Sequence, residues 1–309
     1  MRVLVTGADG FVGKHLSRTL RARGDEVLEL CGPHLDPPPA GAVRVDLTNA
    51  ADVRGALEGR AFDSAVHLAG ASSVARSHEH PAEAYAINAV GTVNLLAAVR
   101  ASSPAARVLV VGSGEVYGAP SGAAPSVESD VLAPLSPYAG SKVAVEIAAL
   151  QFHRSYGLAT IVARPFNHLG RGQAPQFVVP SFARQIVRVR TGAIEPRIAI
   201  GNLSPVRDFS HVLDVIDAYC ILLACGVPGE AYNVGSSVGR TIRSVLDELL
   251  LLADVAAEVE VDPARLRPAE IPSLVGDATK LRALGWAPTR SVTDALRDVL
   301  AEAEEELSS

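Results

Sequence analysis

The chain has 309 residues, 48% of them hydrophobic, and 28 basic against 34 acidic side chains give a net charge of −6. That length predicts one large or two interlocked domains, with enough apolar residues for a sizeable core. The mild acidic excess argues against a nucleic-acid partner, which needs a basic footprint, so an anionic ligand has to be held by local donors. Cys31, Cys220 and Cys225 are odd in number and have no CxxC or Cys/His metal spacing. They read as reduced thiols, with no metal site. The first apolar run ends at Thr6-Gly7, too short for a signal peptide, and the run 218–227 is too short to span a bilayer. The expectation is a cytoplasmic protein without a membrane segment.

The first predicted strand, Arg2–Thr6, runs into Gly7-Ala8-Asp9-Gly10-Phe11-Val12-Gly13, where a helix opens. Gly7 permits a tight turn, Gly10 lets backbone approach a pyrophosphate, and Gly13 lets the helix pack closely on the sheet. The helix N-terminus then offers N–H groups and a positive dipole end to phosphates. At the first strand of a βαβ unit this GxxGxxG pattern predicts dinucleotide binding by Gly7, Asp9, Gly10, Phe11, Val12 and Gly13.

A second strand at 26–30 reaches Cys31-Gly32 where an NAD-preferring site usually has an acid for the ribose 2′-hydroxyl. Glu29 lies inside the strand, no arginine stands beside that position in sequence, and His34 is near. This predicts NADP(H), or loose discrimination from NAD(H). A third strand at 42–45 ends at Asp46-Leu47, where the aspartate can meet the adenine amino group or cap a helix at 48–57. A fourth, at 64–68, leads into His67-Leu68-Ala69-Gly70, whose small residues admit a cofactor. A helix at 81–101 places Ala84, Ile87, Gly91 and Leu95 on one face, with Pro81 in its first turn.

The fifth strand, Arg107–Val111, is followed by Ser113, at the edge where ligands bind in such sheets. Tyr138-Ala139-Gly140-Ser141-Lys142 then opens a helix, so Tyr138 and Lys142 lie one turn apart on one face. A neighbouring ammonium lowers a tyrosine pKa, which suits a phenol acid/base working beside a hydride transfer. Lys142 can also reach the nicotinamide ribose, and Ser113 can hold the substrate oxygen. The plainer alternative is a surface Tyr/Lys pair with a turn serine. A sixth strand follows at 159–163. These continuous Val/Leu/Ile runs alternate with helices and predict an α/β fold with a doubly wound parallel sheet.

The second half reads differently: a loop at 165–173, a helix at 179–190, a short polar segment, a helix at 212–223, a strand at Ala231–Val234 and a helix at 241–253. An extended stretch at 263–273 and a terminal amphipathic helix at 292–305 complete it.

Taken together, the Gly7–Gly13 loop, His67 to Gly70, Asn88, Ser113, Tyr138 with Lys142, and Arg164-Pro165-Phe166-Asn167 resemble the extended short-chain dehydrogenase/reductase family over essentially the whole chain. The resemblance implies a Rossmann domain at 1–166 plus about 211–235. It also implies a smaller α/β C-terminal domain at 167–210 and 236–309 for a nucleotide sugar, and a homodimer through a four-helix bundle. Asn88 and Pro165 would join the cofactor residues.

Three segments are similar to the GDP-mannose branch of that family: 164–173, Arg207-Asp208-Phe209, and Arg267-Pro268-Ala269-Glu270 with 276–280. They imply a GDP-sugar held by Asn167, Arg184, Arg207, Arg267 and Glu270, since a guanidinium fork suits phosphate oxygens. The plainer alternatives are a local Arg207/Asp208 ion pair and an exposed Arg267/Glu270 pair. Segments 177–186 and 262–265 resemble the branch members that reduce the C4 ketone of GDP-4-keto-6-deoxy-D-mannose to GDP-D-rhamnose. Tyr138 would then supply the proton. Glu115, two residues after Ser113, is the acid/base that a GDP-mannose 4,6-dehydratase needs. Arg171 stands where the branch usually has proline. An epimerase with tightly bound NAD and a non-catalytic NADP-binding sensor are the other readings; sensors typically lack the tyrosine or the lysine.

Overall fold

The computed structural model describes residues 1–35, 37–120, 124–266 and 271–308. The first strand, β1 (Arg2–Thr6), is buried from Val3 onward and turns at Gly7 into α1 (Phe11–Ala22). Then come β2 (Glu26–Cys31), the two-residue β3 (Val43–Arg44), α2 (Ala50–Leu57) and β4 (Ser64–His67). The α2 N-cap is Asn49, whose side chain accepts from the N–H groups of Ala51 and Asp52. Asp46 is therefore not the cap. Its Oδ1 instead accepts from Thr48 N at 2.9 Å and Thr48 Oγ at 2.7 Å, closing an Asx turn at the end of β3.

After β4 come α3 (Val74–Glu79), α4 (Pro81–Tyr85), a π-helical turn at Ala86–Val90, and α5 (Gly91–Ser102). The expected single helix is thus interrupted by one wide turn. The extra residue rotates the face: Asn88 is 1% exposed, whereas Ile87 is only partly buried. Such turns occur often at functional sites. The run Pro81–Ser102 is long and apolar enough to cross a membrane by length and composition. Here it packs on α2 and on the helix after β5, with Asn88 and Thr92 facing inward.

The chain continues through β5 (Arg107–Val111), α6 (Pro137–Tyr156) and β6 (Ala159–Pro165). Residues 165–173, read as a loop, contain a strand, β7 (Asn167–Leu169), before α7 (Val178–Arg190). The polar stretch beyond holds β8 (Arg197–Ile200) and β9 (Val206–His211), followed by α8 (Val212–Cys225) and β10 (Ala231–Val234). The rest is β11 (Gly239–Thr241), α9 (Ile242–Ala253), β12 (Glu258–Val261), β13 (Ser273–Leu274), α10 (Thr279–Arg282) and α11 (Val292–Ser308). Between β12 and β13 the expected extended stretch begins with a 3-10 turn, Pro263–Arg265, capped by Asp262.

Seven parallel strands form the main sheet in the order β10-β6-β5-β4-β1-β2-β3. Helices α2, α5 and α6 bury their apolar faces on one side, while α1 and α8 cover the other. Strands covered on both faces cannot alternate in polarity, which is why these read as continuous apolar runs. The order reverses between β1 and β4, so the loops leaving those two strands diverge and open a crevice at their C-terminal ends. Beyond it, β7, β9, β11 and β13 form a second sheet and β8 pairs with β12. The core of this half comes from α7, α9 and α11.

Candidate active site

The crevice floor is the glycine loop. Gly7 has φ +66°, and a Cβ there would lie 2.8 Å from Ala69 N on the loop after β4. At Gly13 a Cβ would stand 2.0 Å from the Gly7 carbonyl oxygen, so α1 approaches β1 as closely as backbone permits. Gly10 is the N-cap, and no side chain caps the helix. A helix end of this kind is a ready anion site. Val12 packs into the core beside α1, and Phe11 stacks on His168, ring centroids 5.9 Å apart. Thus the cofactor loop touches the segment that follows β6. His15 Nε2 also reaches the Arg171 carbonyl at 2.7 Å, tying α1 to the loop after β7.

A buried hydrogen-bond chain sets the wall at β4. Thr6 Oγ accepts from Ala69 N at 3.2 Å and bonds His67 Nδ1 at 2.8 Å, while His67 Nε2 meets Thr92 Oγ at 2.9 Å. Thr92 Oγ donates to the Asn88 carbonyl. With the Thr92 hydroxyl proton given to that carbonyl, His67 donates through Nε2 to Thr92 Oγ. Burial, aided by the Lys142 charge, pulls its pKa down to about 3. Leu68, Ala69 and Gly70 follow, and a Cβ on Gly70 would collide with Asn88 Oδ1 at 2.7 Å.

Asn88 reaches this corner, but its amide is engaged with protein. Oδ1 accepts from Ala71 N at 2.7 Å, and Nδ2 donates to Ala71 O and to Ser141 Oγ at 2.8 Å. It ties the loop after β4 to α6. Leu47 packs under Gly91, and its carbonyl accepts from Asn94.

Ser136 caps α6 by accepting from Ala139 N, Pro137 occupies the first turn, and Tyr138 N donates to Ser77 Oγ at 3.1 Å. Tyr138 and Lys142 consequently face the ends of β4 and β5. Ser113 is buried, accepts from Glu115 N at 3.2 Å, and lies beside the Tyr138 hydroxyl. Burial pushes the Tyr138 hydroxyl up to about 12; the Glu115 carboxylate adds to this and the Ser113 hydroxyl opposes it. The expected lowering by Lys142 is therefore not seen. The Lys142 ammonium donates to the Val111 carbonyl at 2.8 Å, and burial draws its own pKa down to about 8. The Tyr138 hydroxyl is held protonated at neutral pH.

Beneath these groups lies a network the sequence did not reveal. Arg164 Nε donates to Glu146 Oε2 at 2.9 Å within a bidentate ion pair, with both side chains about 5% exposed or less. Arg164 Nη1 donates to Tyr117 Oη at 2.7 Å and to Glu128 O at 3.0 Å. Tyr117 Oη in turn donates to Asn233 Oδ1 at 2.7 Å. Phe166 sits beside it against Gly114 and Gly276, leaving no room for a Cβ at either. These contacts fasten the segment carrying Ser113 and Glu115 to β6 and β10. Glu146 stands one turn after Lys142, a spacing that could have drawn attention.

The nucleotide-sugar residues divide. Asn167 is exposed on β7 and Pro165 ends β6. Arg207 on β9 donates to the Val206 and Ile271 carbonyls at 2.8 Å. Asp208 is buried and its carboxylate is taken by Ser236, Ser237 and Gly276, which argues against a simple Arg207/Asp208 pair. Arg184, on α7, makes a bidentate pair with Glu306 of α11 at 2.6 and 2.7 Å, which braces the two helices. Arg267 and Glu270 lie outside the described residues.

Comparisons with known proteins agree with this layout. The family model described as GDP-mannose 4,6 dehydratase matches residues 4–299. A GDP-6-deoxy-D-mannose reductase from Pseudomonas aeruginosa strain PAO1 is 38% identical over 305 residues, covering 98% of this chain and 97% of that one. A structure of RMD from Pseudomonas aeruginosa complexed with NADPH superposes with TM-score 0.89 at 36% identity, covering 99% of each chain. UDP-glucose 4-epimerase from Thermus thermophilus, solved with NAD, gives TM-score 0.87 at 32% identity, covering 98% of this chain and 99% of that one. With its glycine cradle, its Ser113–Tyr138–Lys142 group and this match along nearly its full length, the chain belongs to the GDP-mannose 4,6-dehydratase family of NAD(P)-dependent epimerase/dehydratase-type enzymes.

Proposed function

We propose that this protein is a reductase of the C4 ketone of a GDP-4-keto-6-deoxyhexose, turning GDP-4-keto-6-deoxy-D-mannose into GDP-D-rhamnose. The observation that carries the reading is the 38% identity with a GDP-6-deoxy-D-mannose reductase along 98% of the chain, with the Tyr138 hydroxyl beside Ser113 to serve as the acid. Reduction needs an acid there, because oxygen 4 gains a proton as carbon 4 gains hydride. When bound, the nicotinamide cofactor supplies that hydride. Residues Gly7 to Gly13 hold the pyrophosphate at the α1 N-terminus, with Asp9, Phe11 and Val12 shaping the loop. Asp46, Leu47 and the 68–70 segment line the adenosine and nicotinamide sides, and Pro165 closes the far wall. Ser113 donates a hydrogen bond to oxygen 4 and orients the ketone. Tyr138 gives up its proton to the same oxygen, and Lys142, one turn along α6, meets the nicotinamide ribose.

In this reading 1–166 with about 211–235 forms the cofactor domain, and 167–210 with 236–309 the GDP-sugar domain. Asn167 and Arg207 meet the diphosphate, and Arg267 and Glu270 the nucleoside. Removing Arg207 deletes a charged hydrogen-bond donor, so Arg207→Ala is expected to raise the sugar-nucleotide KM by about 10- to 100-fold with NAD(P)H affinity unchanged. An unchanged KM would remove Arg207 from the diphosphate site.

A second reading has one specific observation in its favour. The Glu115 carboxylate acts on the Tyr138 hydroxyl, as a 4,6-dehydratase acid/base beside carbons 5 and 6 would. Mass spectrometry of two incubations separates the readings. Gain of two hydrogens from GDP-4-keto-6-deoxymannose with NADPH or NADH is expected. Loss of water from GDP-mannose with NADP⁺ or NAD⁺ would make it the dehydratase instead.

The supporting reading for assembly is a cytoplasmic homodimer built on α5 and α6. Tyr85, Val90, Val93 and Ile147 are exposed apolar residues on or beside those neighbouring helices, at 42, 50, 42 and 60%. Four helices, two from each copy, would cover them.

A further inference from the structure

We propose that Asp9, an acid of the glycine loop, performs the task usually given to an acid at the end of β2, and that it selects NAD(H) over NADP(H). This rests on the chain being a nicotinamide-dinucleotide enzyme and not on which sugar it reduces. In a doubly wound sheet the C-terminal end of β2 is where the adenosine ribose 2′ oxygen lies. By sequence that place is held by Cys31, which is 4% exposed and turned into the core.

The fold brings a different side chain there. Asp9 Oδ1 lies 3.4 Å from Gly32 N, and Oδ2 lies 3.2 Å from His34 Nε2. The carboxylate also bears on the Cys31 thiol, which burial, aided by Asp9 and Glu29, pushes up to about 11. The absence of a side chain at Gly32 leaves room for this: a Cβ there would stand 2.6 Å from the His34 ring, which would have to shift.

A carboxylate in this place accepts a hydrogen bond from a ribose 2′-hydroxyl and repels a 2′-phosphate. Every other charge at this corner is weaker in effect or already engaged. Arg21 pairs with Glu29 at 2.9 Å. Arg44, in register with Cys31 on the edge strand β3, is exposed. His34 is 69% exposed, against 15% for Asp9. Solvent screens the exposed Arg44 guanidinium far more than the sheltered carboxylate. The absence of a second-strand acid therefore does not leave the 2′ position open.

Calorimetric titration of the full chain with NADH and NADPH, without sugar, tests this directly. The wild type is expected to bind NADH at least about tenfold more tightly than NADPH. Asp9→Asn keeps the shape and removes the charge. It is expected to shrink that ratio at least about tenfold, chiefly by tightening NADPH. Asp9→Ser should act in the same direction and guards against a local fault of one variant. A wild type that prefers NADPH, or a ratio unmoved by both substitutions, overturns the proposal. So does equal loss of both affinities in both variants, which would make Asp9 a purely structural acid. Binding of neither cofactor by the wild type would overturn the cofactor assignment itself, a result that none of the other outcomes resembles.

Discussion

Tyr138→Phe is expected to lower turnover by about 10²–10⁴-fold while NAD(P)H affinity stays within about twofold of the wild type. The substitution removes one oxygen. The Tyr138 backbone N–H still donates to Ser77, Ser136 still caps α6, and Lys142 still donates to Val111. The fold has no reason to change. What disappears is a proton donor at the end of β5 whose pKa, about 12, keeps it loaded throughout the neutral range. Glu115 is close enough to affect that hydroxyl, so it is the natural substitute. Steady-state kinetics with product detection, together with a cofactor titration, checks both halves of the expectation. Near-wild-type turnover in the variant would remove Tyr138 as the proton donor.

Glu146→Ala should be the most destabilising single change in the described part of the site. It strips the partner from a guanidinium that is 5% exposed, leaving a buried charge uncompensated. Breaking a buried ion pair from one side typically costs about 3–5 kcal/mol. Urea unfolding followed by circular dichroism reads the loss. Glu146→Gln keeps an acceptor for Arg164 and should lose less. Replacing both partners with apolar residues of similar volume should recover part of the stability, because no charge is then stranded. The effect should reach catalysis as well. Arg164 holds Tyr117 and the Glu128 carbonyl, and through Asn233 these pin the segment that bears Ser113 and Glu115. A Glu146→Ala protein as stable as its parent would show that this network is not what fastens the segment.

The two experiments act at different depths, and so do the features that a reader of the sequence can recover. The glycine loop, the strand runs of the main sheet and the Tyr138–Lys142 spacing depend on interactions within a few residues. Turn geometry, side-chain period and the i,i+4 relation are properties of a short stretch of backbone, so the letters alone determine them. The same holds for Ser113 at the end of β5, since a strand that stops must present its last residues at the sheet edge.

Other features were decided only when distant segments met. The π-helical turn that puts Asn88 rather than Ile87 inward arises where Asn88 can bond both Ala71 and Ser141, 17 residues behind and 53 ahead. Strand β7 exists because Asn167 to Leu169 find β9 more than 40 residues later, and a loop reading cannot anticipate that pairing. Arg184 has the right charge for a phosphate, yet Glu306 on α11 claims it. The sequence places Asp9 in the glycine loop, but only the fold brings its carboxylate within hydrogen-bond range of the end of β2. An ionic or hydrogen-bonding side chain has many chemically equivalent partners along the chain, and only tertiary packing chooses among them. Residue spacing therefore determined the glycine loop and the helix that carries Tyr138 and Lys142, while packing decided what each polar group faces.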